Sequence, residues 1–173
     1  LREEYLAMWR ALLPLTNAIP ATLVLRDYHV DNLMLIEGRT GLAACGLLDF
    51  QDAVMGSPAY DLVSLLEDAR RDVSPDLAAN LSEHYLAAFP SLDRATFTTA
   101  AAVLAAQRNC KILGIFTRLC VRDRKPQYLV HTPRLWRLVE RDVSHPALAS
   151  VRRWLDRHIP AKLRQILQQE AAS

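Results

Sequence analysis

Three times after residue 56 a hydroxyl side chain is followed at once by proline: Ser57-Pro58, Ser74-Pro75 and Thr132-Pro133. A hydroxyl can accept from the orphan N–H groups of a first helical turn, and proline fits the first helical position, where no N–H is needed. Each pair predicts a helix start, and the residues behind it have helical spacing. Leu62, Leu65, Leu66 and Ala69 make one apolar stripe, Leu77, Leu81, Tyr85 and Leu86 a second, and residues from about 93 to 122 a long third helix. Trp136, Leu138 and Val139, then Val151, Trp154 and Leu155, then Leu163, Ile166 and Leu167 predict three more. At the start of the chain Leu6, Trp9, Leu12 and Leu13 recur at three- and four-residue steps, which adds another. Strands are left only the stretch between Pro20 and Ser57.

Within that stretch, Thr22-Leu23-Val24-Leu25 is an apolar, β-favouring run that ends abruptly in Arg26-Asp27, and it predicts a short buried strand. Leu33–Ile36 and Leu42–Leu48 flank Glu37-Gly38-Arg39-Thr40-Gly41, whose two glycines can supply the positive φ a hairpin loop needs. The expected class is α+β, mainly helical, with one short strand and one β-hairpin. Length and composition agree with one domain: 173 residues, 51% hydrophobic and 23% charged, with no linker or internal repeat, so no boundary is placed within 1–173. The chain opens Leu1-Arg2-Glu3-Glu4 in what already reads as helix, and is expected to be a piece of a longer polypeptide. A net charge of +2 argues against a nucleic-acid partner. Cys45, Cys110 and Cys120 form no C-x-x-C pair, so neither a disulfide framework nor a thiolate zinc site is expected, and a reducing cytoplasm fits. No apolar run approaches 18 residues, which predicts a soluble protein without a membrane partner. Nothing specifies an oligomeric state.

Polar residues gather where the strands end. Asp27 lies five residues ahead of Asn32, between one predicted strand and the next, and Asp49 ends the second strand of the hairpin. Phosphoryl transfer from a nucleotide needs a carboxylate to orient the attacking hydroxyl and accept its proton, and oxygen ligands for Mg²⁺. Asp27 suits the first role. The amide carbonyl of Asn32 and the carboxylate of Asp49 suit the second, since a hairpin returns the chain to where it began. Taken alone, Asp27 would pass for a turn residue or helix cap; the agreement of spacing, strand ends and a second carboxylate favours the catalytic reading. Scattered histidines without H-E-x-x-H spacing and the lack of a G-x-S-x-G elbow leave zinc and serine-hydrolase chemistry unsupported.

Arg26-Asp27-Tyr28-His29-Val30-Asp31-Asn32 resembles the D-x-H-x-x-N catalytic loop of the aminoglycoside phosphotransferase and choline kinase-like family, and Leu48-Asp49-Phe50-Gln51-Asp52-Ala53 resembles its metal-binding D-F-x-x-A segment. Pro58-Ala59-Tyr60-Asp61-Leu62-Val63 looks like the helix start that follows, whose aspartate supports the catalytic loop. The resemblance implies a protein-kinase-like fold, of which this chain would be the large C-terminal lobe. It also implies ATP as co-substrate with Mg²⁺, Asp27 as catalytic base, Asn32 and Asp49 as metal ligands, and Asp61 as loop support. His29 is read as bracing the loop, and Asp31 as solvated or bonded to nearby backbone. Gln51 and Asp52 fit either an acceptor pocket or a turn. Within the family, Asp49–Val54 followed by Gln107–Phe116 looks most like the anomeric kinases of N-acetylmuramate and N-acetylglucosamine used in cell-wall recycling. Arg108, Asn109 and Lys111 are then candidates for holding a sugar, the other reading being an exposed helix face.

The family's smaller upstream lobe carries a phosphate-covering loop and a nucleotide-gripping lysine. Neither has a counterpart here, since the five glycines do not cluster and the only lysines are Lys111, Lys125 and Lys162. The chain alone is expected to be inactive or nearly so. Leu25 departs from the pattern, standing where many members have histidine, which bears on how the loop is braced. The alternatives are an aminoglycoside or other small-alcohol kinase and, from another class, a non-catalytic kinase-like binding or scaffold module.

Overall fold

The computed structural model describes residues 1–164. Helix α1 (Arg2–Leu12) runs through a 3₁₀ turn (Leu13–Ala18) into strand β1 (Thr22–Val24). Strands β2 (Leu33–Leu35), β3 (Cys45–Leu47) and β4 (Val54–Gly56) follow, then helices α2 (Ala59–Leu66), α3 (Pro75–Ala88), α4 (Arg94–Val121), α5 (Thr132–Asp142) and α6 (Ala149–His158). The chain is mostly helical with two small antiparallel sheets. Residues 161–164 are helical as well; the Ile166 and Leu167 part of the last predicted helix lies outside the described residues.

α4 organises the molecule. Its 28 residues, about 42 Å at 1.5 Å per residue, begin at Asp93, whose carboxylate accepts from the Thr96 N–H at 2.8 Å. Val103 and Ala106 on α4 meet Trp9 and Leu12 of α1, Trp136 and Val139 of α5, and Val151 and Leu155 of α6 in the largest apolar cluster. Further toward its N-terminus Phe97, Ala100 and Leu104 pack with Ile19, Ala59 and Leu86, and further along Phe116 packs with Ala69 and Leu135. One helix thus takes part in all three clusters, and α2 is seated against it through Ala59.

Several expectations are corrected here. Of the three Ser/Thr-Pro pairs only Ser74 caps its helix, accepting from Leu77 N–H at 3.2 Å. Ser57 Oγ is buried without a partner, and Thr132 lies inside α5 rather than before it. α2 ends at Leu66, before Ala69, and buries Val63 and Ser64 while Leu62 and Leu65 are only partly covered. On α3 only Leu86 is buried; Leu77 and Leu81 stay exposed because the helix touches the core at its C-terminal end alone. The predicted buried strand is three residues long, and only Val24 faces the core, with Leu23 61% exposed. The second hairpin strand is shorter than its apolar run, because Gly41–Ala44 forms a 3₁₀ turn before β3. The hairpin itself has Leu33 opposite Leu47, and Gly38 and Gly41 adopt φ of +74° and +58°. β4 was not legible in Val54-Met55-Gly56, a run too short to show alternation; it pairs with β1, Thr22 opposite Gly56.

Candidate active site

The pairing of β1 with β4 and of β2 with β3 determines where the polar loops go. Residues 25–32 cross from the first sheet to the second, and residues 48–53 cross back, so the two loops run between the same pair of sheets. They are joined directly: Leu48 N–H donates to the Asn32 carbonyl at 2.9 Å, and Arg26 Nη1 reaches the Asp52 carbonyl at 3.4 Å. Asp49 therefore follows a residue bonded to Asn32. Asp27, Asn32 and Asp49, separated along the chain, thus stand in two loops that are bonded to each other.

Within the first loop the Asn32 side chain is fixed by its amide. Nδ2 donates to the Asp27 carbonyl at 2.8 Å and lies 3.4 Å from His29 Nε2. With Nδ2 so engaged, Oδ1 is the atom left for a cation. His29 Nδ1 is buried and 3.9 Å from Asp31 Oδ2, too far for a hydrogen bond. Asp31 itself, expected to be solvated or bonded to nearby backbone, is partly exposed and pairs with the Arg71 side chain at 2.5 Å. In the second loop the Gln51 amide donates to Asp49 Oδ1.

Asp61, in the first turn of α2, grips the start of the loop that carries Asp27. Its Oδ2 accepts from Leu25 N–H at 2.6 Å and its Oδ1 from Arg26 N–H at 3.0 Å. The loop is thereby braced through its backbone, a contact that makes no demand on the side chain at position 25. Arg26 has φ +72° and Asp49 φ +55°, a left-handed conformation that costs a non-glycine residue about 1–2 kcal/mol. Asp61 holds the first of these in place. Burial pushes the Asp61 carboxyl above its ordinary range; the two N–H bonds act against this and the Asp27 charge acts with it.

The α4 candidates lie elsewhere than expected. Arg108 is 8% exposed and Asn109 0%, so neither stands on an exposed face, and Asn109 has no surface to offer a sugar. Arg108 donates to Ser64 Oγ at 3.0 Å and to the Glu67 carbonyl at 3.1 Å. Asn109 Nδ2 is shared between Glu67 Oε2 at 2.6 Å and Asp142 Oδ2 at 2.9 Å, and Arg141 reaches Glu67 Oε1 at 2.6 Å. Burial, then the neighbouring Glu67 charge, pushes the Asp142 carboxyl well above the usual range. Lys111 is exposed, with Nζ 3.1 Å from the Tyr60 hydroxyl. The Glu67–Asn109–Asp142 cluster was missed in the sequence. Its signal was two adjacent polar residues, Arg108 and Asn109, in the middle of the apolar run of α4.

No group of three or more His, Cys, Asp or Glu side chains is placed to hold a metal among the described residues. One carboxylate and one amide carbonyl nevertheless suit Mg²⁺, a hard cation usually held by one or two carboxylates, with phosphates and waters completing its shell.

These motifs fall inside residues 1–97, which match the model of the phosphotransferase enzyme family, APH. This chain belongs to the phosphotransferase enzyme family. Among curated relatives, the chain is 44% identical over 162 residues to an N-acetylmuramate/N-acetylglucosamine kinase of Caulobacter vibrioides, covering 94% of this chain and 45% of the relative. It is 37% identical over 164 residues to a kinase of the same name in Pseudomonas aeruginosa, covering 87% and 46%, and 40% identical over 136 residues to one in Neisseria meningitidis, covering 75% and 39%. The chain spans less than half the length of these curated relatives. No helix among the described residues is long and apolar enough to cross a membrane.

Proposed function

We propose that this phosphotransferase-family chain is the C-terminal lobe of an ATP-dependent small-molecule kinase that phosphorylates a sugar hydroxyl, the amino sugars N-acetylmuramate and N-acetylglucosamine being the favoured acceptors. The observation that carries this reading is the meeting of the two loops under the grip of Asp61. Asp27 orients the acceptor hydroxyl and takes its proton as the oxygen bonds to the γ-phosphorus; the bond from that phosphorus to the bridging oxygen breaks, and ADP leaves. Asn32 Oδ1 and the Asp49 carboxylate would hold Mg²⁺, which when bound neutralises phosphate charge. Gln51 orients Asp49 and, with Asp52 and Lys111, faces the acceptor side, while His29 steadies Asn32. Positioning and electrostatics supply most of the acceleration in such transfers.

An apolar surface supports a partner lobe. Leu23 and Met55, cross-strand neighbours on one sheet, and Leu35 and Leu47 on the other are exposed, Leu35 at 83%, and Leu48 and Phe50 are exposed in the adjoining loop. Apolar side chains exposed in this number beside the loops suit a cover. A lobe seated there would close over the nucleotide and bring the lysine and phosphate-covering loop that this chain lacks. The relatives' names favour amino sugars, and the near-balanced charge gives no sign of the acidic groove a cationic aminoglycoside would need. All three cysteines are free, which suits a reducing cytoplasm.

The test is ADP release by the complete two-lobed polypeptide with Mg²⁺ across amino sugars, aminoglycosides and choline. Amino sugars are expected to turn over fastest, and Asp27→Asn to lower turnover by on the order of 10²-fold or more with folding unchanged. Turnover at the wild-type rate in that variant contradicts the assignment, and no release with any acceptor favours the scaffold reading.

A further inference from the structure

Arg108 is a cation taken almost wholly out of water, which demands partners that hold it there. Both its acceptors are on one short stretch of α2: the Ser64 hydroxyl and the carbonyl of Glu67, the residue that ends the helix. Ser64 is three residues from Asp61, so the two side chains lie on the same face of α2, one turn apart. Asp61 points its carboxylate at the backbone of Leu25 and Arg26, and Arg108 grips the same face directly below it. Burial draws the guanidinium below its ordinary pKa, while the charges of Tyr60, Glu67, Asp68 and Asp27 work in the opposite direction; an arginine remains charged throughout.

We propose that Arg108 is a positioning residue of the phosphotransfer site, acting on the catalytic loop through Ser64 and α2, and is not a contact to the sugar. The proposal rests on Asp27 being the catalytic base. α2 has eight residues: Asp61 grips the loop at one end, and Arg108 from α4 binds Ser64 and the Glu67 carbonyl at the other, beside the Lys111–Tyr60 and Asn109–Glu67 contacts. Release of the Arg108 grip lets the helix shift against α4, and Asp61 carries that shift into the loop that holds Asp27. Lysine at this position keeps the charge but not the planar fork that serves two acceptors at once.

The experiment is steady-state kinetics on the complete polypeptide, with Asp27→Asn as reference. Arg108→Met is expected to lower kcat about 10- to 50-fold with KM for sugar and for ATP both within about twofold, the signature of lost transition-state positioning. Arg108→Lys is expected to recover part of that loss, and Ser64→Ala, which removes one acceptor and retains the cation, to lower kcat about two- to fivefold. Hydrogen exchange at the Leu25 and Arg26 amides is expected to quicken in the order Ser64→Ala, Arg108→Lys, Arg108→Met. Should Arg108→Met fail to fold, the two milder variants still decide the matter. A raised sugar KM with kcat retained makes Arg108 a substrate contact and overturns the proposal, as does wild-type kcat in Arg108→Lys and Ser64→Ala together. Unchanged turnover in Asp27→Asn is a separate failure, that of the underlying catalytic reading.

Discussion

The helical body and the loop end of this chain are held by different means. In the body, α1, α4, α5 and α6 bury Trp9, Val103, Trp136, Val139, Leu148 and Val151 together, and regular backbone follows from that packing. At the loop end every strand is three residues long, apolar side chains stand in solvent, and two loop residues have left-handed backbone. Order there comes from directed hydrogen bonds: Asp61 to Leu25 and Arg26, Asn32 to Asp27, Leu48 to Asn32. Packing tolerates small displacements and gives stability; directed bonds to a strained backbone give position. The two ends should therefore fail differently when altered.

The largest effect is expected in the body. Leu148 is completely buried in the cluster that also holds Trp9, Val103 and Val151, and Leu148→Ala removes side-chain volume from that cluster. A loss of about 2–5 kcal/mol is expected in denaturant unfolding of the complete protein. Turnover per folded molecule should stay near wild type, the reverse of the pattern expected for Asp27→Asn. A Leu148→Ala protein that keeps its stability but loses turnover would break the division between the two ends.

The same division explains what could be read in the sequence. α4 was legible almost to the residue, Arg94–Val121 against about 93 to 122, because a long run of periodic apolar residues over-determines a helix. The hairpin and its two positive-φ glycines were legible because glycine placement specifies turn geometry locally. β4 was not, since its three residues are a strand only by virtue of β1 thirty residues earlier. Asp27, Asn32, Asp49 and Asp61 were picked out by motif spacing and resemblance, and their neighbourhood by strand ends. Arg108 and Asn109 were found as residues and misread as exposed, because spacing along a 28-residue helix does not say which neighbours cover which turn. The contacts that bury them come from Ser64, Glu67 and Asp142, 33 to 44 residues away.

A sharper test falls on the polar cluster where body meets α2. Asp142 binds its proton more tightly folded than unfolded, because burial and the Glu67 charge both disfavour its carboxylate, against the Asn109 bond and Arg141. The folded state then holds more protons than the unfolded one above the unfolded pKa, near 3.9, and stability falls as pH rises from about 4 through the neutral range until the carboxyl ionises in place. Asp142→Asn keeps an oxygen for Asn109 and cannot ionise. The variant is expected to gain about 1–2 kcal/mol at neutral pH and to show a flatter stability profile, measured by urea melts at pH 5, 7 and 9. Equal slopes in variant and wild type would show that the cluster does not titrate across this range.

The smallest effect is expected at the hairpin tip. A Cβ at Gly38 would meet nothing within 4 Å, so packing contributes nothing to its preference for glycine. Its φ of +74° does, because alanine in that region is strained. Gly38→Ala is expected to cost about 1 kcal/mol and Gly38→Asn less, since asparagine visits the left-handed region more readily. Gly46 offers the contrast within the same hairpin: its φ is unexceptional, but a Cβ would come within 3.2 Å of Ile36 Cδ1. There asparagine should be no better than alanine, because the obstacle is a neighbouring side chain. If thermal melts rank alanine and asparagine alike at Gly38, the tip is held by contacts, and the contrast between a packed body and a backbone-directed loop end loses its simplest support.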